Sequence, residues 1–161
     1  MYSTLFSAFH CPIQKRGSKY AMFGNICYYF ETQTKTFNSA QTSCETKFGS
    51  SGGKLFEPKD LATHNAVREK QVEEVKKSGV NSRYYQTWIG ISDQAHEGTF
   101  TFVSDDAHLP FTAWASSQPS CFTSNCDCVV IYDFPEDKNY RNDHWADDVC
   151  YNTLFSICEQ I

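Results

Sequence analysis

Eight cysteines stand at positions 11, 27, 44, 121, 126, 128, 150 and 158 of a 161-residue chain, and no other feature narrows its possible folds so far. An even number of widely separated cysteines points to disulfides formed in an oxidising compartment. Zinc is the rival reading, because Cys126-Asp127-Cys128 is a CxC pair with Cys121 close by. No second CxxC or HxxxH follows at finger-like spacing, which favours disulfides. Eight cysteines allow on the order of a hundred pairings, and the residues alone do not choose among them.

The length suits one compact domain that buries roughly two-thirds of its unfolded surface. Aromatic residues make up 16% of the chain and supply a rigid core. The net charge is −5. Lysine and arginine are scattered, except from Arg68 to Lys77, where glutamates interleave them, so no basic stripe exists to neutralise phosphates and nucleic acid is not an expected partner. Acidic residues gather at Asp105-Asp106, Glu136-Asp137, Asp143 and Asp147-Asp148. They read either as a solvated surface or as oxygen ligands for a hard cation such as calcium. No run of about 18 apolar residues is present, so nothing is expected to span a membrane. No Asn-x-Ser/Thr sequon occurs.

Residues 1–10 read as an N-terminal tail, mildly apolar but too short and without a basic start to be a secretory leader. Secretion would then imply a leader outside this sequence. The domain is expected from 11 to 161. Residues 27–31 (CYYFE) are aromatic and strand-like. Phe37, Ala40, Cys44 and Phe48 recur on one face of a helix, which the glycines at 49, 52 and 53 end. Leu55-Phe56 is a short strand-like stub. A second helix is expected over 61–77, with Leu61, Val67, Val72 and Val75 among charged residues and Gly79 as its stop. Strands follow at 87–91, 99–103, 129–132 and 155–159. The stretches between Asp105 and Cys128 and between Asp133 and Trp145 are long loops of the kind that carry function or need stapling. Two helices followed by a strand-rich half is an α+β plan.

Trp88-Ile89-Gly90-Ile91 resembles the WIGL motif of C-type lectin-like domains, and the other landmarks follow in that family's order. Cys11-Pro12 and Cys27-Tyr28 resemble the extra N-terminal pair of the long form. Gln118-Pro119-Ser120 sits where the family has its EPN or QPD tripeptide, and Trp145-Ala146-Asp147 where it has WND. The resemblance runs from about Cys11 to Glu159 and implies the C-type lectin-like fold. It also implies the pairs Cys11–Cys27, Cys44–Cys158 and Cys128–Cys150, which leaves Cys121 and Cys126 for each other inside the long loop. A cis Gln118–Pro119 bond is implied as well.

Sugar-binding members of the family share a calcium ion between protein and sugar, and six to eight oxygens surround such an ion. Position by position, that primary site is degenerate here. Gln118 and Pro119 match the galactose-type tripeptide, but Ser120 offers only a hydroxyl. Cys126 replaces an acid, and sulfur is a poor partner for calcium. Ala146 replaces an asparagine, while Asp147 matches. A neighbouring calcium site is better kept, with Asp93, Glu97 and Asp127 as its candidate ligands; the alternative is that Asp93 and Glu97 shape a turn and pair with a lysine. Asn142-Asp143 reads as a displaced pair, and His144 as a surface histidine.

The resemblance therefore implies a secreted, carbohydrate-binding C-type lectin, galactose-leaning, with Gln118, Ser120 and Asp147 as sugar contacts and Phe122 and Tyr140 as stacking aromatics. Its partner would be a carbohydrate or glycoprotein, and calcium its cofactor. The alternative is a calcium-independent module that binds a protein surface, with the Cys121–Cys126 loop as a rigid tip. No GxSxG, HExxH or comparable constellation is present, so an enzyme is not expected.

Overall fold

The hairpin that starts the domain follows from its glycine. Gly24 takes φ +60° between β1 (Tyr20–Phe23) and β2 (Ile26–Lys35), a turn conformation open to glycine. The computed structural model describes residues 9–80, 85–121, 125–133 and 144–161. Phe122 and Tyr140, and the acids at 136, 137 and 143, lie outside the described residues.

Thr36 caps α1 (Phe37–Glu45) by accepting from the Ser39 amide, and the expected face of Phe37, Ala40 and Cys44 is buried. β3 (Gly53–Leu55) then passes close under that helix. A Cβ at Gly53 would run into the Cys44 carbonyl and the Phe48 ring, so glycine is required there. Asp60 caps α2 (Leu61–Lys77) through the Thr63 amide at 2.7 Å.

The remaining strands are β4 (Tyr85–Ser92), β5 (Thr101–Phe102), β6 (Cys128–Asp133), β7 (Trp145–Asp148) and β8 (Leu154–Gln160). They join one sheet in the order β1-β2-β8-β4-β6-β7, with β3 on β8 and β5 on β4. Among these described strands the β4–β8 pairing alone is parallel. The long sequence distance between β2 and β8 is closed by Cys44–Cys158, whose partners lie 114 residues apart. The other bonds are Cys11–Cys27, Cys121–Cys126 and Cys128–Cys150, the pairing implied by the resemblance. No thiol is left for zinc.

β4 carries the WIGI residues, and its period of two divides them between two clusters of core. Ile89 and Ile91 face one cluster with Phe30, Phe56 and Trp145. Trp88 faces the other with Phe37, Phe48 and Val130. The Trp88 indole donates to the Lys35 carbonyl at 2.9 Å, and its ring meets Phe37 edge-on at 5.5 Å. Gly90 is the crossing point. Its amide donates to the Phe56 carbonyl at 2.7 Å, so the Leu55–Glu57 segment lies directly against it.

Three expectations need correction. Leu61 is 44% exposed, and α2 instead buries His64, Val67, Gln71, Glu74 and Val75. His144 is buried at 2% exposure and is not a surface residue. The expected strand at 99–103 pairs only at Thr101–Phe102, while β1 and β7 were not foreseen.

Candidate functional site

The long loop after Asp105 is fastened to β7 by main-chain bonds. The Trp145 amide donates to the Ala113 carbonyl at 2.7 Å, and the Ala115 amide donates to the Trp145 carbonyl at 2.9 Å. Trp145 is fully buried, edge-on to Trp114 at 5.7 Å, and its indole donates to His64 Nε2 at 2.8 Å. This anchorage brings the Gln118-Pro119-Ser120 tripeptide beside Ala146-Asp147. The Gln118–Pro119 bond is cis.

Asp147 then binds the loop directly. Its Oδ1 accepts from the Ser120 amide and its Oδ2 from the Cys121 amide, each at 3.0 Å. Charge-assisted bonds from two successive amides are strong and directional. The carboxylate expected to face a calcium ion therefore holds the base of the Cys121–Cys126 ring. Beside it, a cavity of about 380 Å³ is lined by Gln86, Ser116, Gln118, Ala146, Asp147 and Asp148 among others. Asp148 accepts from Gln86 Nε2 at 3.0 Å and from Asn152 Nδ2 at 2.8 Å. Gln118 Oε1 is buried there and accepts no hydrogen bond among the described residues.

The neighbouring acids lie where β4 ends. The Asp93 amide donates to the Asp127 carbonyl at 3.0 Å, and Asp93 Oδ2 accepts from the Gly98 amide at 2.8 Å. Asp93 thus shapes the turn, as one expectation had it, but among the described residues no lysine forms an ion pair with it or with Glu97. Asp93 Oδ1 and Asp127 Oδ1 are buried and accept no hydrogen bond among the described residues. Partial burial and then the nearby Asp93 raise the Asp127 carboxyl above its usual range. Glu97 is raised by desolvation and by the charges of Asp93, Asp127 and Asp147. Glu97 and Asp127 thus stand among like charges without a paired cation among the described residues. As placed, however, no three of the described histidine, cysteine or acidic side chains converge closely enough to hold a metal ion.

A second buried polar group was missed from sequence. Asp133 ends β6 and His144 precedes β7, so they bracket residues 134–143. Arg68 Nη1 lies 2.5 Å from Asp133 Oδ1, and His144 Nδ1 lies 3.8 Å from the same oxygen. Burial raises the Asp133 carboxyl, and Arg68 and His144 oppose that rise. The available signal was the spacing of His64 and Gln71 around Val67, which sets polar residues on the buried face of α2. Their partners lie far along the chain: Gln71 Nε2 donates to the Glu31 carbonyl at 3.3 Å.

Residues 33–160 match the family model described as Lectin C-type domain. Collectin-10 of Homo sapiens is 26% identical over 134 residues, covering 83% of this chain and 41% of that protein. Collectin-11 of Danio rerio is 29% identical over 132 residues, covering 82% of this chain and 41% of that protein. The chain thus spans about two-fifths of the length of these relatives. Among solved structures, the C-type lectin CEL-I from Cucumaria echinata superposes with a TM-score of 0.70 at 21% identity. It covers 89% of this chain and 95% of its own.

Proposed function

This chain belongs to the C-type lectin domain family, and from that premise we propose that it is an extracellular recognition domain that binds carbohydrate without calcium at the primary sugar site. One observation carries the calcium-free part: both Asp147 oxygens accept backbone amides of the loop. The amides take the place of the ion in neutralising the carboxylate and fixing the loop. Ser120, the disulfide-bonded Cys126 and Ala146 supply too few oxygens for a hard cation. The primary set does not fit calcium.

Sugar hydroxyls would instead be met directly by polar side chains of the loop, with the exposed Ser120 and the cavity-lining Gln118 as the first contacts. The Gln118-Pro119 start makes a galactoside the first sugar to try. Phe122 and Tyr140 remain candidates for stacking on the apolar face of a ring. Four disulfides support an extracellular setting. No helix among the described residues is long and apolar enough to cross a membrane. The family assignment supports binding rather than catalysis.

The neighbouring acids fit a cation better. Asp93 and Asp127 each present a buried oxygen without a partner, and Glu97 adjoins them. With Glu97 turned inward, these three would hold calcium, which would supply charge neutralisation and stiffness to the loop.

The same stapled loop also suits a protein surface, because a ring closed by Cys121–Cys126 loses little freedom on binding. Titrating a galactose-terminated glycan into wild type and Asp147→Ala separates the readings. The sugar reading predicts saturable binding to wild type and a loss of tenfold or more in the variant, as the loop detaches. A wild-type titration that stays flat across galactose-, mannose- and fucose-terminated glycans would sink it in favour of a protein partner.

A further inference from the structure

A cavity of about 500 Å³ that shares no residue with the surface around Asp147 opens between the β1–β2 turn, the N-terminus of α2 and the end of β8. That volume lies within the range of small-molecule sites, roughly 300–1,000 Å³. Phe23, Tyr28 and Phe56 form one wall. Tyr28 packs edge-on to Phe56 at 5.6 Å and to Phe23 at 5.7 Å. Beside this wall the lining is charged, with Glu159 the cross-strand partner of Tyr28, and the charges do not balance.

Glu57 is fully matched. It accepts from the Ser104 amide and hydroxyl, each at 2.8 Å, and from Lys54 at 2.5 Å, with Lys59 at 3.8 Å. Glu159, only 5% exposed, shares Lys54 at 3.5 Å and accepts from the Glu57 backbone amide, so Lys54, already paired with Glu57, is the one cation beside it among the described residues. Asp60 adds a further negative charge to the cavity lining. Burial, reinforced by Glu57, pushes the Glu159 carboxyl up to about 7, and Lys54 only partly offsets this. Burial and then the charges of Glu159 and Asp60 likewise push the Tyr28 hydroxyl upward. What the cavity lacks is one positive charge next to an aromatic wall.

We propose that this cavity binds a small organic ammonium ion with an apolar body, its cationic head against Glu159 and its body against Tyr28 and Phe56. An aromatic wall favours an organic cation over a hydrated metal ion, because the ring faces attract the charge while the apolar body leaves water. Lys54, Glu57 and Tyr28 are the titratable groups that act on Glu159, and Lys59 and Asp60 line the same cavity. Of these, Glu57 and Lys54 already pair with each other. Ionised Glu159 is therefore the group that the ammonium would meet.

The test titrates phenethylammonium chloride into the whole chain at pH 8, followed by amide chemical shifts and calorimetry, with 2-phenylethanol as the uncharged control. The proposal predicts saturable binding, with shifts at Tyr28, Lys54 and Glu159, and at least tenfold weaker binding of the alcohol. At pH 5.5 the ammonium should bind about tenfold or more weakly, because Glu159 is then protonated. Near pH 7, calorimetry in buffers of different ionisation enthalpy should show proton release. Glu159→Gln keeps the side-chain volume and should lose binding while its amide spectrum stays folded. Should that variant fail to fold, the proton release and the alcohol control in wild type decide the question alone. No saturation by about 10 mM, equal binding of the alcohol, or full binding by folded Glu159→Gln would overturn the proposal.

Discussion

Asp147 shows how the partners of a familiar residue can differ from those its position suggests. A carboxylate at this position resembles a calcium ligand, yet here its partners are two main-chain amides. Backbone donors leave no trace in the residue string, so these amide partners were not legible; the replacements at Ser120, Cys126 and Ala146 were. Two other buried groups tie stability to pH with opposite signs. Burial lowers His64 to about 4 from an ordinary 6.5. The unfolded chain takes up a proton as the pH falls through 6.5 and the folded chain does not. The His64 contribution is therefore full above 6.5 and is lost towards 4. Glu159 runs the other way, since its folded value near 7 exceeds the ordinary 4.5. Its contribution is full below 4.5 and is lost as the pH rises to 7. Each is worth roughly 3 kcal/mol at full extent, and between pH 4.5 and 6.5 the two slopes oppose each other. Urea unfolding of variants, each compared with wild type, isolates them. Glu159→Gln should gain roughly 1–3 kcal/mol at pH 8 and nothing at pH 4.5. His64→Gln, whose amide oxygen can still accept from the Trp145 indole, should close on wild type by a similar amount as the pH falls to 4. Parallel stability curves for variant and wild type would refute either assignment.

At the scale of elements, β4 and α2 were readable for different reasons. The WIGI run combines strand-forming residues with a glycine, and the structure supplies the reason for that glycine. A Cβ at Gly90 would stand 2.8 Å from Glu57 Cγ and 2.9 Å from the Leu55 carbonyl. Gly90→Ala should therefore cost roughly 1–3 kcal/mol by overpacking, read as a lower urea midpoint with an unchanged slope. A neutral result would mean that the Leu55–Glu57 crossing is looser than described. The extent of α2 followed from its apolar positions among charged residues and its glycine stop, but its buried face did not. Apolar periodicity pointed to Leu61, which is exposed, and passed over His64 and Gln71. Polar residues occupy a buried face when distant groups satisfy them, and those groups, Trp145 and the Glu31 carbonyl, are invisible to local periodicity. β1 and β7 were missed because they are short and gain strand character only from their partners β2 and β6.

Across the whole molecule, the disulfides divide between scaffold and loop. Cys44–Cys158 closes a separation of 114 residues, worth about 4–5 kcal/mol in the chain-entropy model, while Cys121–Cys126 closes one of 5, worth about 2. Paired replacement by alanine should thus lower Tm far more for the first than for the second. The loss of glycan binding should follow the reverse order relative to the loss of stability, because the small ring serves the recognition loop. Equal Tm losses would contradict this division. The pairing itself came from resemblance, since cysteine positions alone admit too many solutions. The central claim, that recognition needs no calcium at the primary site, is tested most directly by a glycan array probed once in calcium and once in a calcium chelator. The account predicts the same bound glycans in both, with signals within about threefold, a change too small to be the loss of a shared ligating ion. Binding that appears in calcium and vanishes in chelator, and does so equally in Asp127→Asn, which removes a ligand of the neighbouring site, would contradict it and return Asp147 to the role of calcium ligand.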